Sequence, residues 1–219
     1  MPNRYDLVVF DWDCTLMNSA ARIVRCLQQA ADDIGQPVPE AAAIQNIIGL
    51  GLPEAFRRLF GAISEAVSIE LTTAYRRHWQ DPQVAASALF SGAQAMLERL
   101  QAEGYGLAIA TGKSRQGLDQ VLQETRLAAY FAATRCADEC HSKPHPQMLQ
   151  EILVDLDTQP ERALVIGDTT YDMQMAASAG VDAAGVTHGV HTATDLQAAG
   201  AQVVFAELAE IPDWLGNVV

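Results

Sequence analysis

Three short apolar runs, Leu7–Phe10, Gly106–Ala110 and Ala163–Ile166, each give way at once to a polar cluster. A run of four or five apolar residues with no polar alternation is buried on both faces, which is the pattern of a strand inside a parallel sheet. Segments of helical period separate and follow these runs: Ala93, Met96, Leu97 and Leu100, then Leu118, Val121 and Leu122, then Leu149, Ile152, Leu153 and Leu156. Strand and helix alternate, so the chain is expected to form an open α/β sheet covered by helices on both sides. Val181–Val186 and Gln202–Phe205 are weaker runs that would extend it.

Between Leu16 and about Ser87 the alternation stops. Ala20, Ile23, Val24, Leu27, Ala31 and Ile34 share one helical face, and Gly35, Pro37 and Pro39 end that helix. Further helices are predicted at Glu40–Ile48, Pro53–Leu59 and Ser64–Gln80, with Gly49–Pro53 as a loop. The reading is therefore a core made of residues 1–16 and 88–219 with an all-helical insert at 17–87 standing over the sheet. A length of 219 residues suits one core with a large insert better than two full domains.

The net charge of -13 opposes non-specific binding to nucleic acid or to an anionic membrane surface, and neither is an expected partner. The apolar run before Asp11 is too short for a signal peptide or a membrane span, so the cytoplasm is the expected location. Four irregularly spaced cysteines do not make a disulfide framework. Cys136, Cys140 and His141 lack the second ligand pair of a zinc site and read as ordinary side chains.

Chemistry-bearing residues gather where the strands end. The first run leads into Asp11-Trp12-Asp13-Cys14-Thr15, two carboxylates at the carboxyl edge where open parallel sheets bind ligands. The second leads into Thr111-Gly112-Lys113-Ser114 at a helix start, where a hydroxyl and free N–H groups suit a phosphate. Lys143-Pro144 opens another helix. Lys113 and Lys143 are the only lysines beside twelve arginines, which points to a need for a compact charge. The third run ends in Gly167-Asp168-Thr169-Thr170-Tyr171-Asp172, hard oxygen donors of the kind Mg²⁺ prefers.

The ordered set Asp-x-Asp-x-Thr, Thr-Gly, Lys-Pro and Gly-Asp-x-x-x-Asp resembles the four motifs of the haloacid dehalogenase superfamily. The insert after the first motif is similar to the small helical cap of its phosphoglycolate phosphatase and β-phosphoglucomutase subgroup. The resemblance implies a Rossmann-like core and a Mg²⁺-dependent phosphatase acting on a small phosphorylated metabolite, phosphoglycolate by analogy, through an aspartyl-phosphate. It also implies Asp11 as nucleophile, Asp13 as general acid and base, and Thr111, Gly112 and Lys143 around the phosphate. Asp11, Asp168 and the backbone carbonyl of Asp13 would hold the metal. Asp172 would reach the metal or hold Lys143.

The position usually held by glycine in the first motif is Cys14, so the loop either avoids positive φ or is strained. A dehalogenase is disfavoured by the acid at Asp13. A phosphonoacetaldehyde hydrolase is disfavoured because residues 17–87 contain no lysine. A mutase of the β-phosphoglucomutase type stays open, with Arg57 and Arg58 as candidates for a second phosphate, as does a non-catalytic binding module. Leu50, Leu52 and Phe56 are expected to roof the substrate pocket, and monomer and homodimer both remain open.

Overall fold

The computed structural model describes residues 4–218. In chain order the elements are β1 (Leu7–Phe10), β2 (Met17–Asn18), α1 (Ala20–Asp33), α2 (Ala41–Gln45), α3 (Leu52–Phe60), α4 (Glu65–Gln80), β3 (Ala88–Leu89), α5 (Ala93–Ala102) and β4 (Gly106–Thr111). There follow α6 (Arg115–Thr125), β5 (Ala133–Cys136), α7 (Gln147–Asp155), β6 (Ala163–Gly167), α8 (Thr170–Ala179), β7 (Asp182–Val186), α9 (Ala193–Ala198), β8 (Val203–Phe205) and α10 (Glu210–Asn217).

Six strands form one parallel sheet in the order β5-β4-β1-β6-β7-β8. β1 is paired on both edges, with Val9 opposite Ala108 on one side and Val165 on the other. Its period-two alternation feeds two cores. Val8 and Phe10 pack with Met96, Leu97 and Leu118 on one face, and Leu7 and Val9 pack with Leu149, Ile152 and Met173 on the other. Full burial on both faces explains the unbroken apolar runs, each such side chain contributing about 1.5–3 kcal/mol. After β1 the chain builds outward through β4 and β5, then crosses to the opposite edge of β1 for β6. That reversal opens a crevice at the carboxyl ends of β1, β4 and β6, the place where such sheets bind ligands.

The insert enters and leaves through a two-residue antiparallel ribbon, Met17 opposite Leu89 and Asn18 opposite Ala88. Between these ends α1 packs on α4, and Ile23, Leu27, Ile44, Phe56, Leu71 and Trp79 belong to a third apolar cluster. The segment predicted as one helix over Glu40–Ile48 is helical only to Gln45. Ile47 and Ile48 then donate to carbonyls three residues back, which tightens the chain into turns and swings Leu50 over the sheet edge.

Leu164, fully buried in the centre of the sheet, tests this packing. Leu164→Ala is expected to cost about 2–5 kcal/mol through lost transfer energy and a cavity. The exposed Val154→Ala is expected to stay within about 0.5 kcal/mol. Urea midpoints check both, and equal shifts would contradict the assigned core.

Candidate active site

The loop after β1 carries Asp11, whose N–H donates to the Ile166 carbonyl at 2.9 Å, so the nucleophile candidate is pinned to the strand beside it. Lys143 reaches in from the loop before α7 with no solvent exposure of its side chain. Its Nζ lies 2.8 Å from Asp11 Oδ1 and donates to Asp172 Oδ1 at 2.6 Å. The Asp11 contact is a buried ion pair, and Asp11 Oδ2 is buried with no hydrogen-bond partner. One oxygen each from Asp11, Asp168 and Asp172 falls within 4.8 Å of the others.

The two acids after β6 are held differently. Asp168 accepts from Thr15 Oγ1 at 2.8 Å and from the Val190 N–H at 3.0 Å, one bond per oxygen. Asp172 spends Oδ1 on Lys143 and Oδ2 on the Thr169 N–H and hydroxyl, closing a capping box at the start of α8. Gly167 makes this possible, because a Cβ there would stand 2.3 Å from the Asp172 carboxyl carbon.

Burial dominates the electrostatics. It pushes the Asp11 carboxyl up to about 7 against the pull of Lys143, with Asp172 and Asp13 adding to the rise. Asp168 is pushed well above the usual range by burial and then by Asp11 and Asp172. For Lys143, burial works against the charge, yet Asp11 and Asp172 outweigh it and raise the ammonium above its ordinary value. Three buried carboxylates therefore share one buried ammonium, a set short of positive charge.

Asp13 turns the other way. Its carboxylate accepts from Ser19 Oγ at 2.7 Å and from Lys113 Nζ at 3.1 and 3.3 Å, and it lines a cavity of about 100 Å³ together with Asp11 and Thr111. Cys14 takes a φ of 65°, so the loop accepts the left-handed conformation that glycine would hold without strain. Thr111 is buried, and its Oγ1 accepts from the Lys113 N–H at 3.2 Å. Ser114 is the N-cap of α6, bonded by the Gly117 N–H.

The insert closes over these groups. Leu50 and Leu52 line the cavity, but Phe56 does not: it is fully buried against Phe60 in the insert's own cluster, so the expected roof loses that residue. Tyr75 and Trp79 of α4 line the cavity instead. Arg57 pairs with Glu54 and is largely exposed, and Arg58 bonds Glu54 and the Tyr171 hydroxyl. Neither lines the cavity, whereas Arg76 does. Gly112 serves the closure: a Cβ there would stand 2.6 and 2.7 Å from the Gly49 and Leu50 carbonyl oxygens. The hydrogen bond from the Gly51 N–H to Ser142 Oγ, 2.8 Å, and that from the Tyr171 hydroxyl to the Asn46 carbonyl, 2.7 Å, tie the same loop to the core.

Sequence reasoning passed over Lys113's contact with Asp13, and also Ser19, Thr15 and Trp79. The rarity of lysine was the one signal that pointed to Lys113. Thr15 stood in the first motif but without a role, Ser19 follows it closely in the chain, and Trp79 meets the site only through packing between distant segments.

A strand-edge acid pair, a buried lysine and a second acid pair thus meet under a helical insert between the first two strands of the sheet. Residues 8–186 match the haloacid dehalogenase-like hydrolase family, and the chain belongs to it. It is 35% identical to a probable phosphatase, IndB, of Dickeya dadantii (strain 3937), over 94% of this chain and 91% of that protein. It is 28% identical to a plasmid-encoded phosphoglycolate phosphatase of Cupriavidus necator, over 94% of this chain and 90% of that one. The structure superposes on that of a haloacid dehalogenase-like hydrolase from Bacteroides fragilis with a TM-score of 0.87 at 29% identity, covering 94% of this chain and 99% of the other. No helix among the described residues is long and apolar enough to cross a membrane.

Gly112→Ala should force the Gly49–Leu50 loop away from the sheet edge, because the added methyl meets backbone that has no rotamer to change. Faster amide exchange across residues 46–52 is expected, by about tenfold or more for a loss above 1.4 kcal/mol of local stability. Unchanged exchange there would contradict the close approach.

Proposed function

We propose that the chain is a Mg²⁺-dependent phosphatase that hydrolyses a small phosphate monoester through an aspartyl-phosphate on Asp11. The observation that carries this reading is the Asp11 carboxylate itself: fully buried, ion-paired with Lys143 at 2.8 Å, and lining the cavity in a group of three acids that share that one buried ammonium. Buried charges are expected to be balanced, so three acids around one ammonium mark a place kept for a further cation or a reactant. This also weighs against a binding module that merely retains the fold.

The donor set fits a hard divalent cation. Asp11, Asp168 and the Asp13 carbonyl would hold Mg²⁺, while Asp172, with both oxygens already engaged, holds Lys143 in place. When bound, Mg²⁺ would supply positive charge to the phosphoryl oxygens and keep Asp11 ionised.

The chain's own residues then divide the work. Lys143 and the Thr111–Gly112 loop bind the phosphoryl oxygens. Asp11 attacks phosphorus, and the bond from phosphorus to the ester oxygen breaks as Asp13 delivers a proton to that oxygen. A water then attacks the acyl phosphate while Asp13 takes its proton, which releases phosphate and restores Asp11. Ser19 and Lys113 hold the Asp13 carboxyl in the cavity for both transfers. Phosphoglycolate is the substrate named for one relative. A mutase would need a second phosphate site, and the contacts of Arg57 and Arg58 away from the cavity weigh against that reading.

Two outcomes test the assignment. Asp13→Asn should lose about 10²–10⁴-fold in turnover yet accumulate one phosphoryl group from an ester with a good leaving group, and Asp11→Asn should show no adduct by intact mass. An adduct that survives in Asp11→Asn would overturn the mechanism.

Metal linkage gives the second test. The Asp11 carboxyl, raised from 3.8 to about 7, binds more protons folded than unfolded across that window. The metal-free protein is thus expected to lose stability as pH climbs through it, and stabilisation by Mg²⁺ should grow over the same range. Melting temperatures at pH 5 and pH 7.5, with chelator or Mg²⁺, check this sign. A Mg²⁺ effect that is equal at both pH values would refute it.

A further inference from the structure

The cavity over Asp11 meets the insert along a wall of hydrocarbon and aromatic surface, with Ile23, Leu27, Ile48, Leu50, Tyr75 and Trp79 lining it from that side. Its volume is about 100 Å³, against roughly 300–1,000 Å³ for pockets that take drug-sized ligands. The leaving group it closes on is therefore short. Such a wall also selects against charge, because a buried ion needs a partner. Neither buried lysine is free to be one: Lys143 is held by Asp11 and Asp172, and Lys113 by Asp13 at 3.1 Å. Arg76 lines the same cavity but is exposed to water, where a single ion pair contributes little.

Within this wall Tyr75 brings a hydroxyl. Its ring stacks on that of Trp79, with centroids 5.9 Å apart and planes at 28°. The Trp79 ring is itself held, with Arg22 4.3 Å and Lys113 4.5 Å from its centre, and Arg22 also donates to the Trp79 carbonyl. The phenol thus stands on a rigid mount built from α1 and α4. Among the described residues, nothing hydrogen-bonds its oxygen. Of the charged groups around Tyr75, Asp13 acts on it most strongly, which sets the phenol beside the proposed proton donor. Burial holds the phenol well above its ordinary value, so it stays neutral and keeps a proton to donate. A hydroxyl packed between elements is normally paired. This one is fixed in position and left open where the atoms next to the ester oxygen would lie.

We propose that Tyr75 is a specificity-determining residue that hydrogen-bonds a hydroxyl or carbonyl oxygen on an uncharged leaving group, one or two carbons from the ester oxygen. The proposal rests on the phosphatase reading and names its substrate class as phosphate monoesters of short alcohols that carry one further neutral oxygen and are otherwise hydrocarbon. The apolar side chains take the hydrocarbon, and the phenol takes the oxygen. A leaving group without that oxygen leaves the phenol unpaired against the wall. A charged one gives up its hydration and finds no free counter-ion.

Three esters test this: 2-hydroxypropyl phosphate, propyl phosphate and 2-phosphoglycolate. The wild type is expected to show its highest kcat/KM on 2-hydroxypropyl phosphate. Tyr75→Phe keeps the ring, the stacking and the wall and removes only the oxygen, and its melting temperature is expected to match that of the wild type. Intrinsic leaving-group reactivity cancels when ratios of kcat/KM are compared between the two proteins. The ratio of 2-hydroxypropyl phosphate to propyl phosphate is expected to fall by about 3–10-fold in Tyr75→Phe, as for the loss of one hydrogen bond.

An unchanged ratio overturns the proposal, as does a wild type that prefers propyl phosphate or 2-phosphoglycolate. The wild-type preferences need no variant and stay decisive if Tyr75→Phe fails to fold. If none of the three esters is hydrolysed but acetyl phosphate still labels Asp11, the substrate class fails and the phosphatase reading stands. If there is neither hydrolysis nor labelling, both fail.

Discussion

Everything at this sheet edge depends on the placing of one ammonium among three carboxylates. Lys143 sits in full burial between Asp11 and Asp172, with Asp168 completing the acid group. Removing each ion from water costs several kcal/mol, and one buried ammonium does not repay that for three acids. The arrangement is held together by the surrounding scaffold. β1 and β6 fix the backbones of Asp11 and Asp168, the capping box of α8 fixes Asp172, and Asp172 in turn aims Lys143. The imbalance of charge that remains would favour a cation and a phosphoryl group, as the role proposed for Asp11 requires.

The rest of the site follows from the switch in strand order. Because β1 lies between β4 and β6, loops that are far apart in sequence converge above one strand: Asp11 and Asp13 from β1, Thr111 to Lys113 from β4, and Asp168 from β6. The insert leaves the chain immediately after the acid pair, and its turn at Gly49–Leu50 packs directly on Gly112. Chemistry and closure thus meet in a few residues, and a change at Gly112 is felt by both.

Much of this was readable from residue order because the physics was local. The central strands were visible as unbroken apolar runs since both their faces are covered, and the motif acids were visible because they end those runs. β5 escaped notice: Ala133, Thr134 and Arg135 are only partly buried at the sheet's edge, and Arg135 pairs with Glu151 and Asp155. The ribbon of β2 and β3 has two residues per strand, too few for any period to register. α8 carries no clear apolar stripe, because buried Tyr171, Asp172, Met173, Met175 and Ala176 mix polar and apolar positions on its inner side. Phe56 was misplaced for a related reason, since an apolar side chain in a helix looks alike in sequence whether it faces a cavity or the helix's own neighbours. Trp79 belongs to the site only by three-dimensional contact, and no spacing rule announces it.

The two-residue ribbon at Met17–Asn18 and Ala88–Leu89 gives the insert a closed outline: its ends lie side by side, one hydrogen-bonded step apart. An element attached in this way is modular. It can be exchanged for another of different length without disturbing the register of the six-stranded sheet, much as a loop can be replaced at a hairpin neck. The graft would have to restore two contacts, a backbone turn shaped to Gly112 and an aromatic surface for Lys113. Diversification of specificity on such a scaffold is then a matter of swapping whole inserts at fixed joints while Asp11, Lys143 and the neighbouring acids stay untouched.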